Sequence, residues 1–150
     1  WQALEEYLSV LPVKKFDHLW RINEICRHIV FIKKGILRSY YINNKKEVTL
    51  RFFTEHSIVV AYQSFITQLP TFTAFQALED AELILIPRAG IYDLYDKFKT
   101  FDRLGRLIAE QSFIEMQFIR KNQVSLTPTD KYLNLLQNQP ELAQRVPQYY

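Results

Sequence analysis

At 150 residues and 48% hydrophobic, the chain can bury one sizeable core, and an aromatic share of 15% is large enough to dominate its packing. The net charge of +3 is dispersed as basic pairs (Lys14-Lys15, Lys33-Lys34, Lys45-Lys46, Arg120-Lys121) among sixteen acids, the pattern of a solvated surface and not of a nucleic-acid groove. Cys26 is the only cysteine, so this chain alone forms no internal disulfide, four-thiolate zinc site or four-cysteine iron–sulfur cluster, and a reducing cytoplasm is the simplest setting.

Trp1 to Val10 reads as a short amphipathic segment of one or two helical turns, ending at Pro12. Glu5-Glu6 stands where a secretory signal would be basic, and no stretch approaches ~20 apolar residues without a charge, so neither export nor a membrane is expected. From Val13 to about Pro87, short apolar runs recur between polar breaks: Ile29 to Ile32, Ile36 to Ile42, Val48 to Phe53, Ile58 to Ala61, Phe72 to Leu78 and Leu83 to Ile86. Gly35 supplies a tight turn, and Asn43-Asn44-Lys45-Lys46 forms the tip of a long antiparallel hairpin. This spacing predicts an antiparallel roll or barrel rather than alternating βαβ units, with a short helical turn at Tyr62 to Ile66.

After Pro87 the period changes. Ile91, Leu94, Tyr95 and Phe98 have helical spacing, and Phe101, Leu104, Leu107, Ile108, Met116 and Ile119 trace a longer helix that Ile114 and Phe118 widen. So wide a stripe fits two covering surfaces, the roll and a partner helix; the alternative is one side packed in a monomer with scattered exposed apolar residues. Thr127 caps a further helix, with Pro128 at its first position and Asp130 in its first turn, running to about Asn138. Pro140 and Pro147 punctuate a last short segment that ends at Tyr149-Tyr150.

The pattern from Phe31 to Phe53, followed by Gln76-Ala77-Leu78-Glu79-Asp80, Leu83 to Ile86, Lys131-Tyr132-Leu133-Asn134-Leu135-Leu136 and Pro140-Glu141-Leu142, resembles the bacterial Crp/Fnr transcription regulators over nearly the whole chain. It looks most like the branch lacking the usual cyclic-nucleotide signature. The resemblance implies an α+β fold: an antiparallel, jelly-roll-like β-roll, then a long dimerisation helix and a short helical segment. It divides the chain into a sensor roll with flanking helices (1–98), the long helix (99–126) and the start of an incomplete helix-turn-helix domain (127–150), whose first turn falls near Val146 to Tyr150. The implied partners are a second copy, meeting through Phe101, Leu104, Ile108, Met116, Phe118 and Ile119, DNA through a missing C-terminal head, and an unidentified small-molecule or protein effector. The implied setting is cytoplasmic.

Cyclic-nucleotide-binding members of that family cradle the phosphate between a Gly-Glu pair and a later Arg-Ser/Thr pair, where backbone amides and the Arg neutralise the anion and the Glu holds the ribose. Here Val60 and Ala61 fall in the Gly-Glu slots, Thr71 in the Arg slot and Phe72 in the Ser/Thr slot, while Glu115 with Met116 falls where the purine contact would lie. Cyclic AMP binding is therefore not expected. Thr49, Arg51 and Phe53 share a strand face that the resemblance points inward. Arg51 there either meets an anionic effector or pairs structurally with Glu24 or Glu47, and Tyr62, Phe72 and Phe75 either line an apolar pocket or are plain core. His18, His28 and His56 lack metal-ligand spacing, so no metal or other cofactor is expected. Cys26, beside Arg27 and His28, is either a thiol of lowered pKa or a buried strand residue. No catalytic constellation stands out, so an enzyme is not expected; a cupin-like metal-dependent enzyme and a free-standing interaction module are the alternatives.

Overall fold

The computed structural model describes residues 2–146, and the chain divides into two units, Trp1–Asp102 and Arg103–Tyr150. The first begins with a one-turn helix, α1 (Gln2–Glu5), and strands β1 (Ser9–Val13), β2 (His18–Trp20), β3 (His28–Lys34), β4 (Leu37–Asn43), β5 (Lys46–Phe53) and β6 (Ile58–Val59). A short helix α2 (Tyr62–Thr67), strands β7 (Ala74–Ala77) and β8 (Ala81–Pro87), and helix α3 (Arg88–Lys97) follow. Helix α4 (Lys99–Ser125) starts at the end of this unit and continues into the second, which also holds α5 (Pro128–Asn138) and α6 (Pro140–Arg145).

All strand pairs are antiparallel, in two four-stranded sheets of order β1-β8-β3-β6 and β2-β7-β4-β5. Alternate residues of each strand meet in one core: Val13, Val30, Ile32, Val59 and Leu83 from the first sheet, Trp20, Leu37, Phe53, Phe75 and Ala77 from the second. The Trp20, Phe75 and Phe53 rings fill its centre, with centroids 5.3 Å and 6.0 Å apart. The expected roll is present, with two strands that periodicity did not reveal. The short helical segment expected near the start is the single turn α1, but it stops at Glu5 and Val10 pairs with Ile84; β1 is an edge strand, where the missing donor of Pro12 is tolerated. The run Ile58 to Ala61 is strand only to Val59, because the Ala61 carbonyl accepts the Phe65 N–H and opens α2.

Two turns fix the sheet geometry. Gly35 (φ +105°) joins β3 to β4, and a Cβ there would stand 2.7 Å from Ala81 Cβ and 2.8 Å from its Cα, so the turn admits no side chain. At the β4–β5 tip, Asn44 (φ 49°) and Lys45 (φ 65°) take the paired left-handed conformation whose twist matches a two-residue hairpin. The helical part follows the sequence closely. Phe98, in extended conformation, separates α3 from α4; Thr127 and Asp130 form a reciprocal capping box with Pro128 at the first turn of α5. Leu142 and Val146 are buried; beyond Val146, the expected first turn of a reading head and the Tyr149-Tyr150 end lie outside the described residues.

Candidate functional site

The segment in the phosphate-cassette slots runs from β6 through α2 to β7, and the sequence between His56 and Glu79 carries no charged side chain. Val60 is half-buried against the core, Ala61 is buried at the α2 N-terminus, and Tyr62 opens that helix, its hydroxyl pKa raised by burial and by the nearby Tyr92. Thr71 is buried, but its hydroxyl is spent locally: it donates to the Thr73 carbonyl (3.1 Å) and accepts the Thr73 N–H (3.1 Å). Its backbone pairs with Asn23 and Glu24, which anchors the loop to the β2–β3 connection. Phe72 is 66% exposed and stands apart from Phe53 and Phe75, which meet in the core. A cyclic phosphate in such a segment would exchange its hydration for neutral groups, which is unfavourable for an anion.

The face assignment of the β5 residues is corrected by a bulge. Arg51 pairs with Ser39 while Thr49 pairs with Tyr40, so the register slips by one residue between them. Arg51 keeps the core side, with its guanidinium 4.7 Å from the Phe53 ring centre. Thr49 turns to the opposite face, where its hydroxyl accepts from Arg38 Nη1 at 3.2 Å.

Arg38, which sequence reasoning passed over, is the buried cation of the roll, at 2% exposure. Its Nε and Nη2 donate to Gln76 Oε1 (3.0 and 2.7 Å), Nη2 pairs with the Glu47 carboxylate, and the guanidinium lies 4.2 Å from the Tyr40 ring centre. Glu47, a sequence candidate for pairing Arg51, thus meets Arg38, and Glu24, the other, accepts the Arg21 N–H. The cluster ties β4 to β5 and β7 and satisfies a charge that would otherwise be costly to bury. The available signal was the register itself: Arg38 lies one residue from the core position Leu37, on the strand whose hairpin partner carries Glu47 and Thr49.

His18 Nε2 and the Tyr40 hydroxyl share a hydrogen bond (2.8 Å) at the edge of this cluster. Burial first, then the charges of Arg21 and Arg38, hold the His18 pKa below the ordinary imidazole range; burial and Arg27 do the same to His28. Both depressed pKa values favour the neutral imidazole in the fold. The associated stability is complete above the unfolded value of about 6.5 and declines as pH falls through that value toward the folded one. Denaturant midpoints are expected to drop between pH 7.5 and 5.5, and to drop less in a His18→Gln variant; equal drops would remove His18 as a cause.

Cys26 is fully buried before β3, its thiol 3.3 Å from the His28 carbonyl, and burial raises its pKa, so Arg27 and His28 do not make it a reactive thiolate. Among the described residues, no group of three or more His, Cys, Asp or Glu side chains is placed to hold a metal ion, and no helix is long and apolar enough to cross a membrane. Glu115 lies on α4 in the second unit and accepts from Gln111 Nε2 at 3.2 Å. No residue of α4 is buried: Leu104 is 46% exposed and Met116 and Phe118 are each 61% exposed, while Phe101, Ile108 and Ile119 are half-buried.

The sequence profile described as the cyclic nucleotide-binding domain matches residues 10–98. No curated protein matches the chain. Among solved structures, a crp/fnr-family protein from Eubacterium rectale aligns over 95% of this chain and 67% of its own, at 16% identity and a TM-score of 0.78. The c-di-GMP responsive global regulator CLP of Xanthomonas campestris aligns over 93% of this chain and 72% of its own, at 15% identity and 0.74. The EAL enzyme Bd1971 aligns over 71% of this chain and 96% of its own, at 18% identity and 0.58. At these identities the likeness is one of fold, and it reaches regulators and an enzyme alike.

Proposed function

The chain belongs to the cyclic nucleotide-binding domain family, and from that premise we propose that it is the effector-sensing and dimerisation part of a Crp/Fnr-type transcription regulator that does not answer to cyclic AMP. The observation that carries this reading is α4: 27 residues, none buried, with Leu104, Leu107, Phe113, Ile114, Met116 and Phe118 all at least 46% exposed. Water contact over so much apolar surface on one helix is unfavourable, and a second copy relieves it by pairing α4 with α4. The fold shared with the Eubacterium rectale and Xanthomonas campestris proteins supports the regulator setting, and with it the cytoplasmic location we propose. The uncharged stretch between His56 and Glu79 supports an effector other than a cyclic nucleotide, with Arg51, Val60, Ala61 and Tyr62 as the candidate contacts in the roll, while Phe53 belongs to the packed core and the Thr71 hydroxyl is already bonded to Thr73.

The Crp/Fnr-type reading assigns DNA recognition to a helix-turn-helix head, a role for which the dispersed basic pairs of the described residues form no concentrated surface. In this arrangement an effector biases the α4 pair, and the pair sets the spacing of two heads on DNA. Sedimentation of the chain at tens of micromolar, on the order of ordinary dimer affinities, tests the reading. A twofold dimer is expected; a monomer at that concentration would contradict it.

A further inference from the structure

The two sheets of the roll differ on their outer faces. In an antiparallel sheet with one face on the core, the other face is ordinarily polar. The second sheet follows this rule: His18, Gln76 and Arg38 stand beside one another across β2, β7 and β4. The first sheet does not. Val10 pairs with Ile84, Ile84 with Phe31 and Phe31 with Ile58, so a single apolar row crosses β1, β8, β3 and β6. Their chain neighbours Val30, Ile32, Val59 and Leu83 are in the core, which places the row on the opposite face. Val10 is 61% and Ile58 41% exposed, with Phe31 and Ile84 half-buried between them. The row is bounded on both sides. On one side Ile29 is buried and Ile86 packs against the core; on the other stand the Lys33–Glu82 ion pair and the His56 ring, 6.1 Å from that of Phe31. What is open is therefore a line across the strands, one residue deep and about 14 Å long at ~4.8 Å between strands.

We propose that this row is a docking site for a single amphipathic helix of a partner protein, laid across the four strands. The occupant follows from what the row excludes. Strand addition needs a free edge, but β1 carries Pro12 and β6 is two residues long. An extended segment laid on the face, away from the edges, would bury backbone groups without partners, whereas a helix satisfies its own. One row of four side chains falls well short of the ~800 Å² per partner that a stable twofold interface takes, so a second copy is a poor occupant. The Lys33–Glu82 pair, and the Lys14–Asp80 pair beyond it, are neutral as pairs and attract neither a polyanion nor a strongly charged peptide. A helix with apolar residues at i, i+4 and i+7 spans about 10 Å, and one further turn covers the row. The site lies on the outside of the roll and is independent of the effector reading given above.

The probe is a synthetic peptide of about 15 residues, stapled as a helix, with Leu at i, i+4, i+7 and i+11 and Ala or Gln elsewhere. Its control has the same composition with the Leu residues spread around the helix. Amide shifts of the isotope-labelled chain are expected to move at Val10, Phe31, Ile58 and Ile84, with a Kd below about 1 mM. Val10→Asp with Ile58→Asp should weaken binding by at least about tenfold, because it places two carboxylates under an apolar helix face, while Phe118→Asp should leave it unchanged. Both residues are exposed, so the substitutions spare the core, and Val10→Gln with Ile58→Gln serves if the Asp pair unfolds the chain. The proposal is overturned if the peptide does not bind, if the control binds equally, if binding survives the double substitution, or if the shifts map to α4. It is also overturned if the double substitution changes the sedimentation of the chain alone, which would make a second copy the occupant.

Discussion

Placing a charge at Phe118, by Phe118→Asp, is expected to turn a dimer of this chain into a monomer, and Ile108→Asp should act in the same direction. Phe118 is 61% exposed in the single chain, so the substitution removes little packing there and helical content should persist. In a twofold pair the residue is used twice. Losing the burial of one phenylalanine costs roughly 2 kcal/mol, and two copies weaken association by roughly 10³-fold even before the desolvation of an unpaired carboxylate is added. Sedimentation velocity on the native and substituted chains reads this directly. Identical dimer sedimentation for both would place the interface elsewhere than α4.

Gly35→Val carries the largest expected cost within the roll. The backbone at φ +105° lies where L side chains are strained, and a Cβ would fall within 2.8 Å of both Ala81 Cβ and Ala81 Cα, the second of which is backbone and cannot swing away. The Gly35 N–H also donates to the Glu55 carboxylate (2.9 Å), and the adjacent Ile36 carbonyl accepts the Leu78 N–H, so a shift of the turn disturbs the β7–β8 connection as well. A loss of about 3 kcal/mol or more is expected from strain and overpacking together. Urea unfolding measures it, and a loss under about 1 kcal/mol would mean that the turn relaxes without cost.

The parts of the fold legible in the sequence are those in which a local pattern decides the outcome. Strands β3, β4, β5 and β8 announce themselves by β-branched and aromatic runs between polar breaks, Gly35 by the absence of any other residue able to turn there, and α5 by Thr127, Pro128 and Asp130 in capping positions. Strand β1 was hidden because Pro12 reads as a stop and only its pairing with β8 makes it an edge strand. Strand β2 is three residues long, too short for a period. The bulge in β5 leaves no trace in composition, yet it decides that Thr49 and Arg51 face opposite ways.

For the candidate site, the missing ions were legible and the placement was not. Val60, Ala61, Thr71 and Phe72 visibly lack phosphate-binding chemistry, but whether a side chain points in or out depends on backbone pairing: Thr71 is drawn inward by Asn23 and Glu24, and Phe72 is left outside. Arg38 was missed for a related reason. An Arg in a strand is ordinarily on the solvent face, and its burial here depends on Gln76, 38 residues away.

The measurement that bears most directly on the central claim, a family domain whose cassette does not take the family's nucleotide, is calorimetry of the chain with cyclic AMP at physiological ionic strength. With neutral groups at Val60, Ala61, Thr71 and Phe72, binding heat indistinguishable from dilution is expected, corresponding to a Kd of about 1 mM or weaker, roughly −4 kcal/mol. A Kd near 1 μM, about −8 kcal/mol, would contradict the account and require that other residues of the roll neutralise the phosphate.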